Sequence, residues 1–480
     1  MVLNERAADE QRVACGRGFV ELCQWAATTP LSEVPRAVLQ RSGLVLGDDI
    51  AAIVAAATEP EVAAVQVQIA QSAGSAAEAT VLGRTPVRVD RHTAAAANGM
   101  AACWTELDEG YRLVACHAGA YIIPALIAEA EATGAPTRDV IASLAVAYEV
   151  TARIAHAFPA QPLRVHPHGA FAPLGAAAGV TRLRGYSPKD FAAALSSAMT
   201  MSHAGPYSHA PAGALTRNAW TATGAWAGYR AADWAPLGIG GLAQSVFDVM
   251  VTCYGHACVP ERLTSELGTV WAVSSGYHKT IACCQYAHSA VEATLRLRAE
   301  EPALADPANV AAIVVATHPM GETLAVPEPE TVLAGKFSML HAVATTAVHG
   351  SAGAEAFARA SLSDPRVTAL RTRVRLVPHD AIMPWPKDRP ARVEITLTDG
   401  RRLTASIDSA RGGPDDPFGE GELRAKIASL TADLYPVMAA RLAQLATSER
   451  RWADDMAAMV VQPHVARSAH AARQAETPEP

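Results

Sequence analysis

Aromatic and charged side chains are scarce in this sequence. Of its 480 residues, 5% are Phe, Trp or Tyr and 18% are charged, while 50% are hydrophobic. The formal net charge of −7 argues against a generally basic, nucleic-acid-binding surface. Alanine supplies much of the hydrophobic fraction, and because it has the highest helix propensity, the composition favours closely packed helices.

The chain also lacks a purely apolar run of membrane-spanning length. The long uncharged stretch at 191–216 contains Ser, His, Pro and Gly, and the charged N-terminal segment MVLNERAADEQR does not resemble a secretion signal. We therefore expect a soluble, cytoplasmic protein with neither membrane nor nucleic acid as a partner.

The eight cysteines are too scattered for a disulfide framework. Cys253, His256 and Cys258 lie close together, but their spacing is not that of a usual zinc site. Gly238, Gly240 and Gly241 lack the full dinucleotide fingerprint and follow no predicted strand. We expect reduced thiols, no metal and no nucleotide.

Helical patterns fill most of the first half of the chain. A helix is predicted from Thr137 onward because apolar residues recur at three- and four-residue steps, at Ile141, Leu144, Tyr148 and Ala152. Another helix is predicted to begin at Ser187, which precedes Pro188 and has an acidic residue three positions later. Gly185 is expected to end the helix before it.

Strand patterns appear after about residue 277. The β-branched runs at 310–317 and 372–377 predict strands. Alternating apolar residues at 391–408 predict a hairpin, and Asp399-Gly400 at its centre is typical of a type I′ turn. Helical segments near 286–299 and 338–361 are expected to cover this sheet.

Two segments combine histidine with the beginning of a helix. His166-Pro167-His168-Gly169 stands directly before a run of small residues, where free backbone N–H groups of a helix N-terminus can hold a carboxylate. Histidine there can also transfer protons near neutral pH. The segment KTIACCQYAH, which begins at Lys279, has a similar design. A loop whose histidines only bond to backbone is the alternative interpretation.

Four landmarks resemble the MmgE/PrpD family in order and spacing, over about residues 25–450. They are NGMAACWTELDEGY with CHAGA (98–120), VHPHGAFAPLGAAAG, KTIACCQYAH and KFSMLHAVA. The family includes 2-methylcitrate dehydratases, cis-aconitate decarboxylases and iminodisuccinate epimerases. The resemblance implies a homodimer that works without metal or nucleotide, in a cleft between a helical domain and a lid.

The predicted fold is mainly α. A large all-helical domain comprises residues 1–277 and is completed by 412–463, and a smaller α+β lid at 278–411 is inserted into it. The polar, proline-terminated tail at 464–480 is expected to be disordered.

The resemblance assigns roles to residues of the landmarks. His117 matches the catalytic histidine of the family, His166 a carboxylate binder or proton donor, and His288 a histidine on a lid helix. Lys279 matches a lysine that binds an anion. His168 and Gly169, beside His166, are added as substrate-binding candidates.

Other positions depart from the family pattern. Glu106 replaces an aspartate, Gly110 a small hydroxyl residue, Arg217 a lysine and His341 a tyrosine. Arginine keeps the positive charge but can scarcely act as a base, and imidazole titrates far below a phenol. Glu106 and His341 are therefore candidate catalytic residues with altered roles, and Arg217 a substrate-binding one. Asp108 and Glu109 are either part of the acidic cluster of the site or a solvated face.

These residues point to a cofactor-independent lyase, of the dehydratase or decarboxylase type, acting on a small carboxylate-bearing metabolite by general acid–base catalysis. The departures indicate a divergent substrate. An isomerase, epimerase or cyclising enzyme with the same proton-abstracting site is one alternative. A non-catalytic ligand-binding scaffold is another.

Overall fold

The computed structural model describes residues 5–160 and 162–462. Helices dominate these ranges, as predicted. In chain order they are α1 (Glu5–Thr28), α2 (Arg36–Ala56), α3 (Pro60–Ser72), α4 (Arg91–Ala102), α5 (Ala118–Thr133), α6 (Thr137–Ala157), α7 (Pro167–Leu183), α8 (Pro188–Thr200), α9 (Thr216–Trp234), α10 (Ser245–Phe247), α11 (His288–Glu300), α12 (Pro319–Glu322), α13 (Val332–Lys336), α14 (Met339–His349), α15 (Arg359–Ser363), α16 (Pro365–Arg371), α17 (Glu420–Thr431), α18 (Met438–Leu442) and α19 (Trp452–Met459). The strands are β1 (Ala79–Val81), β2 (Val87–Val89), β3 (Gly110–Tyr111), β4 (Gly276–Tyr277), β5 (Val310–Thr317), β6 (Val374–Pro378), β7 (Ala391–Leu397) and β8 (Arg402–Ile407).

The helices of the first half pack closely because their contact faces carry small residues. Helix α7 lies between α5 and α9 and is buried along nearly its whole length. A Cβ atom at Gly228 of α9 would lie 2.1 Å from the carbonyl oxygen of Pro173. Only glycine permits this approach, so the run of Gly and Ala residues serves helix packing as well as the site.

Three predicted helix ends are confirmed: the beginning of α6, the beginning of α8 and the end of α7. Helix α6 begins at Thr137 as predicted. At α8 the Ser187 hydroxyl accepts a hydrogen bond from the Asp190 backbone N–H at 3.2 Å. Gly185, just after α7 ends, has a φ of +65°, in the left-handed region that favours glycine.

The prediction that the large domain is entirely helical is wrong in detail. Strands β1 and β2 form one antiparallel pair, and β3 forms another with β4, in which Gly110 is opposite Tyr277, 167 residues further along the chain. These strands have two or three residues each. They are held by tertiary pairing, and segments so short carry no period-2 signal.

A four-stranded sheet forms the second part of the fold, in the order β6-β5-β7-β8. Strand β5 is parallel to β6 and antiparallel to β7. The predicted strands and hairpin are confirmed, but the prediction of a type I′ turn is wrong. Gly400 has a φ of +88°, whereas Asp399 keeps a negative φ, so the hairpin turns through a longer loop.

Two large hydrophobic cores accompany these two parts, and a smaller cluster joins β1 and β2 to α4, α5, α7 and α9. The first is built from α1–α8 and also includes Tyr435, Trp452 and Met456 of the C-terminal segment. The second lies mostly within residues 281–407, where α11 and α14 pack together and α11 packs on β7 and β8. The domain boundaries at 277/278 and 411/412 stay a prediction, and the tail at 464–480 lies outside the described residues.

Helix α6 is long and apolar enough to cross a membrane by composition. However, 94% of the relevant window is buried inside the protein. Its apolar character is therefore accounted for by the first core, to which its residues Ile141 and Leu144 belong.

Candidate active site

A cavity of about 480 Å³, including its opening to solvent, lies where the two parts of the fold meet. Its walls come from the segment between α4 and α5, the beginning of α7, the beginning of α9, and the KTIACC and KFSM segments. The lining residues are Glu106, Tyr111, Val114, Ala115, Cys116, His117, Leu163, His166, Pro167, Tyr207, Arg217, Tyr277, Cys284, Gln285, Tyr286, Phe337 and Arg389.

His117 is held against the cavity by a buried carboxylate. It stands immediately before α5, and its Nδ1 lies 2.5 Å from Oδ2 of Asp108, whose side chain is fully buried. Because Nδ1 is engaged by Asp108, Nε2 is the nitrogen left for a ligand. This is the arrangement in which a carboxylate orients an imidazole and stabilises its protonated form.

Lys279 balances the charge of Asp108 from the side away from the cavity. Its Nζ lies 3.4 Å from Oδ1 of Asp108 and 3.8 Å from Oε2 of Glu106. Burial by itself would raise the pKa of Asp108, but the positive charges of Lys279 and His117 outweigh it and hold that pKa below its ordinary value. Asp108 is therefore an ionised partner of His117. The solvated-face interpretation of Asp108 is wrong.

Glu106 and Arg217 form an ion pair in the cavity wall. Arg217 Nη2 lies 2.7 Å from Glu106 Oε1, and both side chains are almost completely buried. Glu106 has a φ of +57°, an unfavourable conformation for a residue with a side chain. Such strain persists where surrounding structure imposes it, and functional sites are a common place for it.

The remaining contacts of Arg217 fix its guanidinium group. Its Nη1 donates to the carbonyl oxygen of Cys103 at 3.3 Å and to Oδ1 of Asn218 at 2.9 Å. Its Nε lies 3.3 Å from Nε2 of His166, and the group lies 5.2 Å from the ring centre of Phe337. The arginine is thus placed to meet an anion in the cavity.

His166 and His168 are neutral, buried neighbours of this ion pair. Nδ1 of His166 accepts a hydrogen bond from the His168 backbone N–H, which caps α7, and Nδ1 of His168 bonds to the Tyr121 hydroxyl at 2.9 Å. Burial, with the added effect of Arg217, lowers the pKa of both histidines well below the ordinary value. They can therefore donate or accept hydrogen bonds but carry no charge near neutral pH.

Two glycines of the site are explained by close packing. A Cβ atom at Gly169 would lie 2.5 Å from the carbonyl oxygen of His203. At Gly110 it would lie 2.7 Å from the ring of Tyr277, which lines the cavity. Gly110 therefore leaves room for an aromatic wall where the resemblance implied a hydroxyl group.

The structure does not bring two of the predicted catalytic histidines to this cavity. His288 is buried with Nε2 donating to the Cys283 carbonyl at 3.0 Å, and burial lowers its pKa to about 3. His341 is buried beside Ser361, 3.2 Å from its hydroxyl, and burial lowers its pKa to about 4. Both match landmarks of the sequence, but their helices turn them into the second core.

Lys279, His168 and Gly169 also differ from their predicted role as direct substrate binders. None of them lines the cavity. Lys279 holds the carboxylates, His168 stands between His117 and Tyr121, with its ring centre 5.0 Å from that of His117, and Gly169 permits a backbone contact. They support the residues that face the cavity.

Several lining residues were not singled out from the sequence. Cys284 belongs to the KTIACCQYAH segment, from which only Lys279 and His288 were predicted as site residues. Arg389 reaches the cavity from the segment after β6, and its guanidinium group lies 4.9 Å from the ring centre of Tyr286. Tyr207 stacks on His166, with ring centres 5.8 Å apart. No local pattern marks these positions, because distant segments bring them together.

Positive charge is in excess around the cavity. The pairs Glu106–Arg217 and Asp108–Lys279 are balanced, but Arg112 and Arg389 share the single carboxylate of Asp388, at 3.0 and 3.4 Å. Lys336 is buried and donates to the Trp104 carbonyl at 2.9 Å. This excess is suited to an anionic ligand.

One group of described side chains comes close enough to share a metal ion: Cys103, Asp108 and His117 offer ligand atoms within 4.8 Å of one another. Burial and the charge of Asp108 raise the pKa of the Cys103 thiol well above its ordinary value, so the neutral thiol is favoured. Lys279 and Arg217 add positive charge beside it. The charge distribution thus opposes a cation here. Cys253, His256 and Cys258 are not part of this group.

A second layer of buried acids lies behind the site. Asp48 is bound to His278 Nδ1 and to Lys426 Nζ, both at 2.6 Å. Glu109 accepts a hydrogen bond from the Tyr148 hydroxyl at 2.7 Å, and burial together with neighbouring acids raises its pKa to about 8. Glu109 is therefore buried and not part of a solvated face.

Comparison with known proteins agrees with this organisation. The family model of the MmgE/PrpD N-terminal domain matches residues 20–259, and that of the MmgE/PrpD C-terminal domain matches 281–450. The chain is similar to the cis-aconitate decarboxylase-like protein oryM of Aspergillus oryzae, with 26% identity over 453 residues, covering 87% of this chain and 91% of that protein.

Two further relatives are similar at the same level. The cis-aconitate decarboxylase of Mus musculus is 26% identical over 373 residues, covering 72% of this chain and 73% of that enzyme. The cis-aconitate decarboxylase of Aspergillus terreus is 25% identical over 421 residues, covering 82% and 85%.

Proposed function

Since the chain belongs to the MmgE/PrpD family, we propose that it is a lyase of the dehydratase or decarboxylase type that acts on a carboxylate-bearing metabolite. The observation that carries the proposal is the Asp108–His117 pair, which presents one imidazole nitrogen to a cavity beside Arg217. The similarity to cis-aconitate decarboxylases supports the lyase class.

His117 is the proposed acid–base catalyst. In a dehydration, its Nε2 removes a proton next to a carboxylate, and as the C–O bond breaks the imidazolium gives that proton to the departing hydroxide, which leaves as water. In a decarboxylation, the C–C bond breaks, carbon dioxide leaves, and the protonated imidazole supplies a proton to the resulting carbanion. Asp108 stabilises the imidazolium in both cases.

Arg217 and Arg389 are the proposed anchors for substrate carboxylates. Both line the cavity, and they approach it from α9 and from the segment before β7. The permanent positive charge and the planar N–H donors of a guanidinium group suit it to a carboxylate. Glu106 keeps Arg217 in place by its ion pair, which is a different role from that of an acid–base residue.

The test is hydrogen exchange and product formation with a panel of di- and tricarboxylates in deuterated water, followed by mass spectrometry. We expect deuterium in recovered substrate or product, together with loss of water or carbon dioxide, and a decrease of about 10²–10⁴-fold in His117→Ala. The Ile239→Glu variant, at a side chain 56% exposed and outside the cavity, is the control. Normal activity in His117→Ala would contradict the proposal.

The same experiment separates the isomerase alternative. Deuterium incorporation with inversion or rearrangement, and without loss of water or carbon dioxide, would identify an isomerase. A complete lack of exchange and turnover across the panel would favour a non-catalytic binding protein.

A further inference from the structure

A second, larger cavity adjoins the candidate active site. It measures about 1350 Å³ including its opening to solvent. Six residues line both cavities: Val114, Ala115, Leu163, Pro167, Tyr286 and Arg389. The second cavity therefore continues from the side of the active site opposite the Glu106–Arg217 pair, which lines only the first.

The walls of this second cavity are mainly apolar. Phe158 and Phe171 form its buried end, Leu163 stands at the junction, and Met320 and Ile382 lie toward solvent. Its four polar lining residues are His256, His318, Asp388 and Arg389.

All four of those polar residues already have partners, and Arg389 shares Asp388 with Arg112. His256 Nδ1 bonds to the Phe158 carbonyl at 3.0 Å, and His318 Nε2 bonds to the Tyr286 carbonyl at 3.1 Å. Asp388 is paired with Arg112. Burial lowers the pKa of both histidines, so they are neutral near pH 7. The cavity thus offers a ligand apolar contact more than charge.

The outer edge is held in place by a buried arginine. Arg112 Nη2 donates to the Pro386 carbonyl at 3.2 Å, in addition to its pair with Asp388. This anchors a segment whose apolar side chains are exposed: Ile382 by 43%, Met383 by 56% and Trp385 by 40%. A fixed segment with exposed apolar groups beside an apolar cavity is typical of a ligand-binding surface.

We propose that the second cavity binds an apolar arm of the substrate, so that the substrate class is a carboxylate carrying an alkyl or aryl substituent of several carbons. The carboxylate end lies at Arg217 in the first cavity, and the arm passes Leu163 toward Met320 and Ile382. This inference rests on the proposed function for the position of the carboxylate end. It goes further by assigning specificity to residues that do no chemistry.

The experiment measures binding of succinate and of 2-alkylsuccinates with two, four and six carbons by isothermal titration calorimetry. Burial of one methylene group corresponds to an affinity gain of at most about fourfold. We expect Kd to decrease with each added carbon, by roughly two- to fourfold. Affinity that is unchanged or weakened by the longer chains would overturn the inference.

Two variants place a charge along the proposed path. Met320→Glu and Ile382→Glu, at side chains that line only the second cavity, are both expected to abolish the gain with chain length while binding succinate as before. Ile239→Glu carries the same substitution as Ile382→Glu at an exposed site outside both cavities and is expected to keep the gain. A gain that persists in both path variants would also overturn the inference.

Arg217→Gln distinguishes an arm of the substrate from an independent apolar ligand. If the two cavities form one site, this change weakens binding of every alkylsuccinate. Binding that is indifferent to Arg217→Gln would mean that the second cavity holds a separate ligand, and the inference fails. A chain-length gain that depends on Arg217, without any exchange or turnover, would uphold this inference and contradict the lyase proposal. Exchange of short carboxylates without a chain-length gain would uphold the lyase proposal and contradict this inference.

Discussion

Replacing Asp108 with Asn tests the central pair of the site with the least change in shape. The carboxylate touches His117 at 2.5 Å and Lys279 at 3.4 Å, and the side chain is fully buried. An amide can orient the imidazole, but it cannot stabilise the imidazolium, and its NH₂ group can impose the wrong tautomer. We expect kcat to fall by roughly 10²–10⁴-fold, the range for general acid–base catalysis, whose upper end is the loss of about 10⁴-fold seen when the carboxylate partner of a catalytic histidine becomes an amide.

The same substitution is expected to lower stability, because Lys279 loses its nearest counter-charge. Removing one partner of a buried ion pair costs about 3–5 kcal/mol. Glu106, 3.8 Å from Lys279, keeps the loss toward the lower end of that range. Urea unfolding measures the difference in the free energy of unfolding.

A double variant separates the two effects. Asp108→Asn combined with Lys279→Met removes the stranded charge, so stability is expected to recover in part while kcat stays low.

The pKa of Asp108 lies below that of an unfolded aspartate, so its contribution to stability is present above about pH 4 and is lost as the pH falls further. Activity within tenfold of the wild type in Asp108→Asn would refute the assigned role of the pair.

Three further changes test neighbouring conclusions. The folded-state pKa of Glu109, about 8, exceeds that of an unfolded glutamate, so the folded state keeps this proton to higher pH. Between pH 5 and 8 we expect the free energy of unfolding of the wild type to fall by up to about 1.4 kcal/mol per pH unit relative to Glu109→Gln. Parallel pH profiles of the two proteins in urea unfolding would contradict this. His288→Gln and His341→Phe are expected to lower the free energy of unfolding but to leave the pH profile of kcat unshifted, and a shifted profile in either would place that histidine in the chemistry. Arg217→Lys is expected to raise KM more than it lowers kcat, because lysine cannot reproduce the contacts with Glu106, Asn218 and the Cys103 carbonyl that fix the positive charge at the cavity wall; an unchanged KM in steady-state assays would count against the anchor.

Sequence patterns determined what depends on neighbouring residues along the chain. The Ser187 hydroxyl caps a helix three residues away, Gly185 ends one, and the alternating residues of 391–407 form a hairpin. These structures follow from hydrogen bonds and periodicity within a few residues. The landmark motifs likewise identified His117, His166 and Glu106, the family pattern also singled out Arg217, and all four line the cavity.

Tertiary structure decided which motif residues face that cavity. His288 and His341 occupy landmarks as distinct as that of His117, yet their hydrogen bonds to Cys283 and Ser361 turn them into the second core. Lys279 meets Asp108 across 171 residues of sequence. The apolar second cavity brings landmark residues such as Pro167 and Phe171 together with segments near residues 158, 320 and 382, which carry no motif. The direction of a side chain and the meeting of distant segments depend on how the helices and the sheet pack, and no local pattern encodes that packing.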